Sequence, residues 1–166
     1  MSDLFSCKEN IYGDKYKDHL FEQYKLYFES AEKISDRRRY ANSFYISLLT
    51  AILTLIGIFF QIERMLYKEL LQFVVPLIGI LFCVVYWFQL NSYKQMNTGK
   101  FKVIHEIENK LPLALFKKEW EHLGEGNNKK LYFPFSHIEM YIPWLFGFVF
   151  FVLSVTASIK LYNCIL

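Results

Sequence analysis

The chain has four histidines and three cysteines, the side chains that most often carry metal or nucleophilic chemistry. No histidine lies at a metal-binding spacing from another histidine, a cysteine or an acid. The cysteines, Cys7, Cys83 and Cys164, are too far apart to form a Cys-x-x-Cys pair or to indicate a disulfide framework. The glycine-rich motif of P-loop nucleotide hydrolases and the Gly-x-Ser-x-Gly motif of serine hydrolases are absent. The sequence therefore predicts a protein that is not an enzyme and has no cofactor and no small-molecule substrate.

Two short stretches remain as weaker candidates for chemistry. His105 precedes Glu106, and we interpret it as a solvated or packed histidine, with a functional histidine as the alternative. Residues 97–100 (NTGK) resemble part of a phosphate-binding loop but lack its glycine-rich beginning. A ribonuclease of the HEPN type would need an arginine followed by a histidine four to six residues later, and no arginine here has one.

The pattern that says most about function is a row of small and polar side chains within an apolar run. Tyr40 to Ile62 is 23 residues without a formal charge, which at about 1.5 Å per residue is enough to cross a hydrocarbon core of about 30 Å. One face of this helix carries small and polar side chains at helical spacing: Ser43, Ser47, Thr50, Thr54, Gly57 and Gln61. We call this face the small-polar stripe. It indicates either a helix-packing seam or the wall of a pore.

Three arginines, Arg37, Arg38 and Arg39, directly precede this run. We interpret them first as residues that fix the orientation of the span in the membrane and contact acidic lipids. The alternative is a cationic ring: in a closed oligomer the cluster would recur around one axis and favour anions, RNA or nucleotides at a cytoplasmic mouth.

The elements that must position these residues are all predicted to be helices. Apolar residues recur at three- and four-residue steps before Tyr40, and no Pro or Gly interrupts them, which predicts an amphipathic helix that continues into the first span. That helix packs on protein in one interpretation and lies on the membrane surface in the other. Two further uncharged runs, of 24 and 20 residues, begin at Leu70 and Met140 and predict two more spans.

The predicted fold is an all-α integral membrane protein in four parts. These are an amphipathic N-terminal helix (1–39), a transmembrane hairpin (40–93), a cytoplasmic helical segment (94–139) and a third transmembrane helix (140–166). In the cytoplasmic segment, Thr98 and Gly99 predict a turn that separates the second span from two short helices. We predict oligomer or partner contacts through three apolar side chains of that segment, Phe101, Ile104 and Trp120.

The distribution of positive charge predicts the orientation. Of 19 Lys and Arg, 8 precede the first span and 8 lie in the segment 94–139. The positive-inside rule places the N-terminus and that segment on the cytoplasmic side of a membrane protein that spans the bilayer several times.

Several stretches resemble the RipA-like family of small octameric bacterial membrane proteins, which includes the membrane accessory protein of type VI-B CRISPR systems. They are residues 32–38 (EKISDRR), 41–44 (ANSF), 97–108 (NTGKFKVIHEIE), Leu111-Pro112, Glu119-Trp120, Leu123-Gly124, and Ile138-Glu139 with Pro143. Two-span SLATT effectors of bacterial defence islands are similar more loosely.

The resemblance implies a homo-oligomeric ring of eight subunits in the bacterial inner membrane. For CRISPR accessory members it implies a pore-like effector that depolarises the membrane when an RNA-guided nuclease is active, with that nuclease or its RNA as a partner. For RipA members it implies a role in growth within host cells. A non-conducting scaffold that binds a cytoplasmic partner, and a sensor whose soluble segments bind nucleotide, are the alternatives from other functional classes.

Overall fold

The computed structural model describes residues 4–62, 67–128, 131, 132, 134 and 138–165. Within them the chain forms five α-helices and a short 3₁₀ turn, with no strand. The helices are α1 (Glu9–Tyr12), α2 (Tyr16–Gln61), α3 (Lys68–Glu108), α4 (Leu115–His122) and α5 (Ile142–Ile165). Three of them, α2, α3 and α5, are long and apolar enough to cross a membrane. The all-helical class and the three spans predicted from sequence are confirmed.

Helix α2 is one uninterrupted helix of 46 residues, as predicted. Gly13, with φ at +93°, separates it from α1 and supplies the conformation that an L side chain rarely adopts. In its first half, the predicted apolar face ends in Ala31 and Ile34, which are buried. An amphipathic helix thus continues into an apolar span because no Pro or Gly interrupts residues 16–56.

Helix α3 is longer than predicted. It has 41 residues and continues through Thr98 and Gly99, where we expected a turn. That turn is wrong: both residues are helical, and the Thr98 hydroxyl donates to the carbonyl oxygen of Lys94 at 2.9 Å. A glycine inside a helix costs only about 1 kcal/mol relative to alanine, which the rest of a long helix offsets. The helix also continues through Pro76, which is buried.

The chain divides into two compact units. The polar unit contains Met1–Arg37 and Tyr93–Pro134, and the span unit contains Arg38–Ser92 and Phe135–Leu166. Both α2 and α3 contribute residues to each unit. Part of the predicted connection between the first two spans, residues 63–66, lies outside the described residues, as do 129, 130, 133 and 135–137.

Helix α4 is short, and two glycines follow it. Gly124 and Gly126 have φ of +69° and +73°, so each adopts a left-handed conformation that favours glycine. At the other end, Ala114 makes no side-chain cap. The first turn of α4 must therefore be stabilised by a group from elsewhere in the polar unit.

Candidate functional site

The small-polar stripe lies on a face of α2 that the span unit leaves uncovered. All of its members are exposed: Ser43, Ser47, Thr50, Thr54, Gly57 and Gln61. The opposite face is buried through Leu49, Ile52 and Ile56. A single subunit therefore uses its apolar face for its own core and presents the stripe to its surroundings.

Two threonines of the stripe have hydroxyls bonded within the helix. Thr50 Oγ1 donates to the Ile46 carbonyl oxygen at 2.8 Å, and Thr54 Oγ1 donates to the Thr50 carbonyl oxygen at 2.9 Å. Each hydroxyl proton is thereby satisfied without help from a neighbour, while the oxygen keeps free acceptor capacity. The stripe is consequently compatible with lipid, with a packed helix or with water.

The core of the span unit lies away from the stripe, and α3 and α5 pack there. Tyr86 of α3 is fully buried, donates its hydroxyl to Asn42 Oδ1 and stacks on Tyr45 with ring centroids 4.7 Å apart. On the same helix, Gly79 faces the ring of Phe150 from α5 so closely that a Cβ would lie 2.7 Å from it. Gly79 of the second span is thus used in packing within the subunit.

The three arginines of the cluster differ in their environments. Arg38 Nε lies 3.4 Å from a carboxylate oxygen of Glu139, and both side chains are about four-fifths buried, with 22% of each exposed. Arg37 and Arg39 are exposed. One member of the predicted basic cluster is therefore an ion-pair partner inside the span unit, which reduces the positive charge that the cluster presents.

The polar unit contains a cavity of about 510 Å³ between residues of α2, α3 and α4. Five aromatic side chains line it: Phe28, Phe101, Phe116, Trp120 and Tyr132. The Phe28 and Phe116 rings stack at 4.7 Å, and Phe101 meets Phe116 edge-on at 6.1 Å. A cavity of this size and lining is in the range of small-molecule sites.

Asn97 and His105, which line the cavity, each have a buried polar atom without a hydrogen-bond partner among the described residues. These atoms are Asn97 Oδ1 and His105 Nε2, and both are shielded by the surrounding protein. With Phe101 they occupy positions i, i+4 and i+8 on one face of α3. Among the described residues, the charged side chains at the cavity are Glu32, Glu119 and Lys102, all exposed. Sequence reasoning considered Asn97 and His105 separately, and only the spacing on one helical face could have joined them.

The helix-capping group that α4 needs is Glu108, which is only 1% exposed. Its two carboxylate oxygens accept the backbone N–H groups of Phe116 and Lys117, each at 3.0 Å. Tyr24 donates its hydroxyl to the same carboxylate at 3.3 Å. Burial, then the charge of Glu108 and this hydrogen bond, raise the pKa of Tyr24 to about 12. A carboxylate at a helix N-terminus is favoured by the free N–H groups and by the helix dipole.

The three side chains predicted to contact partners have different environments. Ile104 is fully buried in the polar unit, so it contributes to that unit's core. Phe101 and Trp120 line the cavity, and Trp120 is 38% exposed. The predicted partner surface therefore rests on Phe101 and Trp120.

No group of His, Cys, Asp and Glu side chains that could hold a metal ion occurs in the described part of the chain. His19 accepts or donates a bond with the Tyr12 hydroxyl at 2.8 Å, and His122 is exposed at the end of α4. His137 lies outside the described residues.

A family model described as "Octameric membrane protein family (8xMP)" matches residues 21–159. The match overlaps all three candidate spans and includes most of the polar unit. The chain belongs to the octameric membrane protein family. No curated protein and no solved structure matches it.

Membership of the octameric membrane protein family confirms three expectations from the sequence. The chain is a membrane protein, it crosses the bilayer with helices, and it assembles with copies of itself. In an octameric membrane protein, an uncovered helical face meets either lipid or another subunit, or it faces a central passage. The small-polar stripe has one of these environments in the assembly.

Proposed function

We propose that the protein is a pore-forming effector that depolarises the bacterial inner membrane and so strengthens CRISPR-linked antiviral defence. The observation that carries the proposal is the uncovered small-polar stripe on α2, whose members are all exposed in the subunit. A lipid-facing position would give these polar groups no benefit, whereas a central passage would hydrate them. Membership of an octameric family supports a closed ring with such a passage.

In this proposal the assembly acts without catalysis. Its effect is the flow of ions down the membrane potential, which needs no reacting group. The N-terminus and the polar unit face the cytoplasm, where an RNA-guided nuclease or its RNA is the partner that opens the passage. The Lys and Arg excess before the first span and in 94–139 supports this orientation.

Replacement of Thr50 or Thr54 by Leu tests the pore. Each change removes a hydroxyl from the stripe and adds an apolar side chain, so ion flux through liposomes containing the purified octamer should fall while the ring size is unchanged. Thr156→Leu is the matched control, because Thr156 is an exposed threonine of α5 whose hydroxyl bonds to the Leu153 carbonyl at 2.9 Å. A change in ring size with unaltered flux would instead assign the stripe to packing between subunits.

A second experiment tests depolarisation in cells. With the partner nuclease triggered, a potential-sensitive dye should report loss of the inner-membrane potential in cells that contain the wild-type protein and a smaller loss in cells with Thr54→Leu. An unchanged potential in wild-type cells would overturn the proposal.

A non-conducting scaffold is the second candidate. It is favoured by exposed apolar side chains on the polar unit, including Leu113 and Leu115 at 66% and 62% exposure. A scaffold predicts tight vesicles in the flux experiment and partner capture that depends on Leu113 and Leu115. A RipA-like role in growth within host cells is compatible with either activity.

A further inference from the structure

An apolar groove of about 570 Å³ lies between α3 and α5 in the span unit. Two small residues, Cys83 and Gly147, lie where these helices come together, and a Cβ on Gly147 would be 3.8 Å from Cys83 Cβ. Larger side chains, including Trp87 of α3 and Trp144 of α5, line the groove on either side. We propose that this groove is the surface on which the next subunit of the octamer docks, with Phe44 of that subunit inserted in it.

An octamer in a membrane restricts which surfaces can meet. Subunits that cross the bilayer in one orientation are related by rotation about an axis perpendicular to it, so each contact in a ring joins two different patches of neighbouring subunits. Rotation about that axis keeps every residue at its depth in the bilayer. The patch that enters the groove must therefore lie at the depth of the groove, on another face of the same subunit.

Contacts within the span unit place Phe44 at that depth. The next residue, Tyr45, stacks on Tyr86 with ring centroids 4.7 Å apart. Trp87, which follows Tyr86 on α3, lines the groove. Phe44 is thus level with the α3 wall of the groove.

The α5 wall of the groove lies at the same depth. Gly79 faces Phe150 and Cys83 faces Gly147, so α3 and α5 run in opposite directions. Trp144, three residues before Gly147, is therefore level with the tyrosine stack.

The face of α2 that carries Phe44 lies beside the small-polar stripe. It is exposed and apolar, through Tyr40, Phe44, Ala51, Leu55 and Ile58. At about 100° per residue, this face is rotated by about 80° from the stripe and by about 150° from the buried face of α2. A stripe that faces the passage turns the apolar face towards the neighbouring subunit, and this step rests on the proposed function.

The shape of the groove favours a side chain over lipid. Association of helices in a bilayer depends on packing and close approach, because apolar contact alone gives no gain over lipid. Small residues between large side chains leave room for an aromatic ring, and aromatic anchors in pockets carry much of the binding energy of interfaces. Phe44 supplies such a ring, which is 61% exposed in the subunit.

Paired cysteines test the contact in the full-length octamer in membranes. In a chain whose three native cysteines are replaced by alanine, Phe44→Cys with Trp144→Cys should form disulfides on oxidation, because docking brings the two positions within bridging distance. Every subunit carries both cysteines, so non-reducing denaturing gels should show a ladder from dimer to octamer. Phe44→Cys with Val85→Cys is the control and should remain monomeric, because Val85 is exposed and adjacent to Tyr86 but does not line the groove.

A second pair keeps this test informative if loss of the Phe44 ring weakens assembly. Ala51→Cys with Phe151→Cys places both cysteines two helical turns further along their helices, and Phe151 also lines the groove. This pair should give the same ladder. Monomers from both groove pairs, or a ladder of equal strength from the control, would overturn the proposal.

Filling the groove tests its role in assembly. Val84→Trp adds a large side chain at the groove and should shift the octamer towards smaller species in size-exclusion chromatography. Val85→Trp is the matched control, because it is the neighbouring exposed valine outside the groove. An unchanged octamer in Val84→Trp, with one phospholipid per subunit retained by wild type in native mass spectrometry, would assign the groove to an acyl chain and contradict the proposal.

Cross-linking and ion flux separate this interface from the pore. A ladder in an octamer that does not conduct ions would overturn the pore and support the interface. Ion flux through octamers that give no ladder would overturn the interface and leave the pore.

Discussion

Arg38 of α2 and Glu139, which precedes α5, form an ion pair of 3.4 Å within the span unit. With 22% of each side chain exposed, the pair lies between a surface pair and a buried one. Its loss should therefore cost more than the typical surface value of about 0 to 1 kcal/mol and less than the 3 to 5 kcal/mol of a fully buried pair.

Arg38→Ala should lower the stability of the octamer by about 1 to 2 kcal/mol, because it leaves a partly buried carboxylate without its partner. Thermal unfolding in detergent, followed by circular dichroism, measures the change. Arg37→Ala is the neighbouring control, because Arg37 is exposed. The charge-reversed double variant Arg38→Glu with Glu139→Arg should recover part of the loss, and a full additive loss would contradict a direct pair.

Glu108→Ala should destabilise the polar unit by at least about 2 kcal/mol. It removes a charged acceptor from two backbone N–H groups at the start of α4 and from the Tyr24 hydroxyl. Hydrogen exchange of the α4 amides measures the effect locally, and faster exchange is expected there. Glu106→Ala, an exposed residue on the same helix, should leave α4 protected.

Gly79→Ala should destabilise the span unit by about 1 to 3 kcal/mol, since the new Cβ would lie 2.7 Å from the Phe150 ring. Phe150 is fully buried and has little room to move. Gly99→Ala is the control: no atom lies within 4 Å of a Cβ there, and alanine is the better helix former. Two results would contradict this reason. The first is a Gly79→Ala variant as stable as wild type, and the second is a failure of Phe150→Leu to restore the stability of Gly79→Ala.

Ionisation of the Tyr24 hydroxyl should lower the stability of the folded protein at alkaline pH. Its pKa is raised from the usual value to about 12, so the folded state holds the phenol proton more tightly than the unfolded state. The resulting stability is fully present below about pH 10, the usual tyrosine pKa, and is lost as the pH rises through 12. Tyr24→Phe should abolish this part of the alkaline loss, as measured by unfolding temperature from pH 9 to 12 relative to wild type. Parallel curves for the two proteins would contradict the assignment.

The long helices could be predicted from the sequence because their cause is local. Residues 16–56 contain neither Pro nor Gly, and from Tyr40 to the end of α2 no residue carries a formal charge. The turn at Thr98 and Gly99 was wrong because local turn preference competes with a 41-residue helix that tolerates one glycine.

The contacts of Glu108 and the cavity could not be predicted in the same way. The partners of Glu108 lie 84 and about 8 residues away in the sequence, and only the packing of the polar unit brings them together. The stripe was visible because helical spacing is local, whereas its exposure depends on which face of α2 the other spans cover.

If the stripe lines a passage, as we propose, its internal hydrogen bonds predict the ion selectivity of that passage. Thr50 and Thr54 direct their hydroxyl protons to backbone carbonyls of their own helix, so their oxygens present only lone pairs outward. A passage lined by these oxygens in every subunit would be partially negative along its wall and would coordinate K⁺ or Na⁺ better than chloride. The arginines at positions 37–39 act in the opposite sense, but Glu139 offsets one of their charges. A reversal potential measured across a KCl gradient would then have the sign of a cation-selective passage.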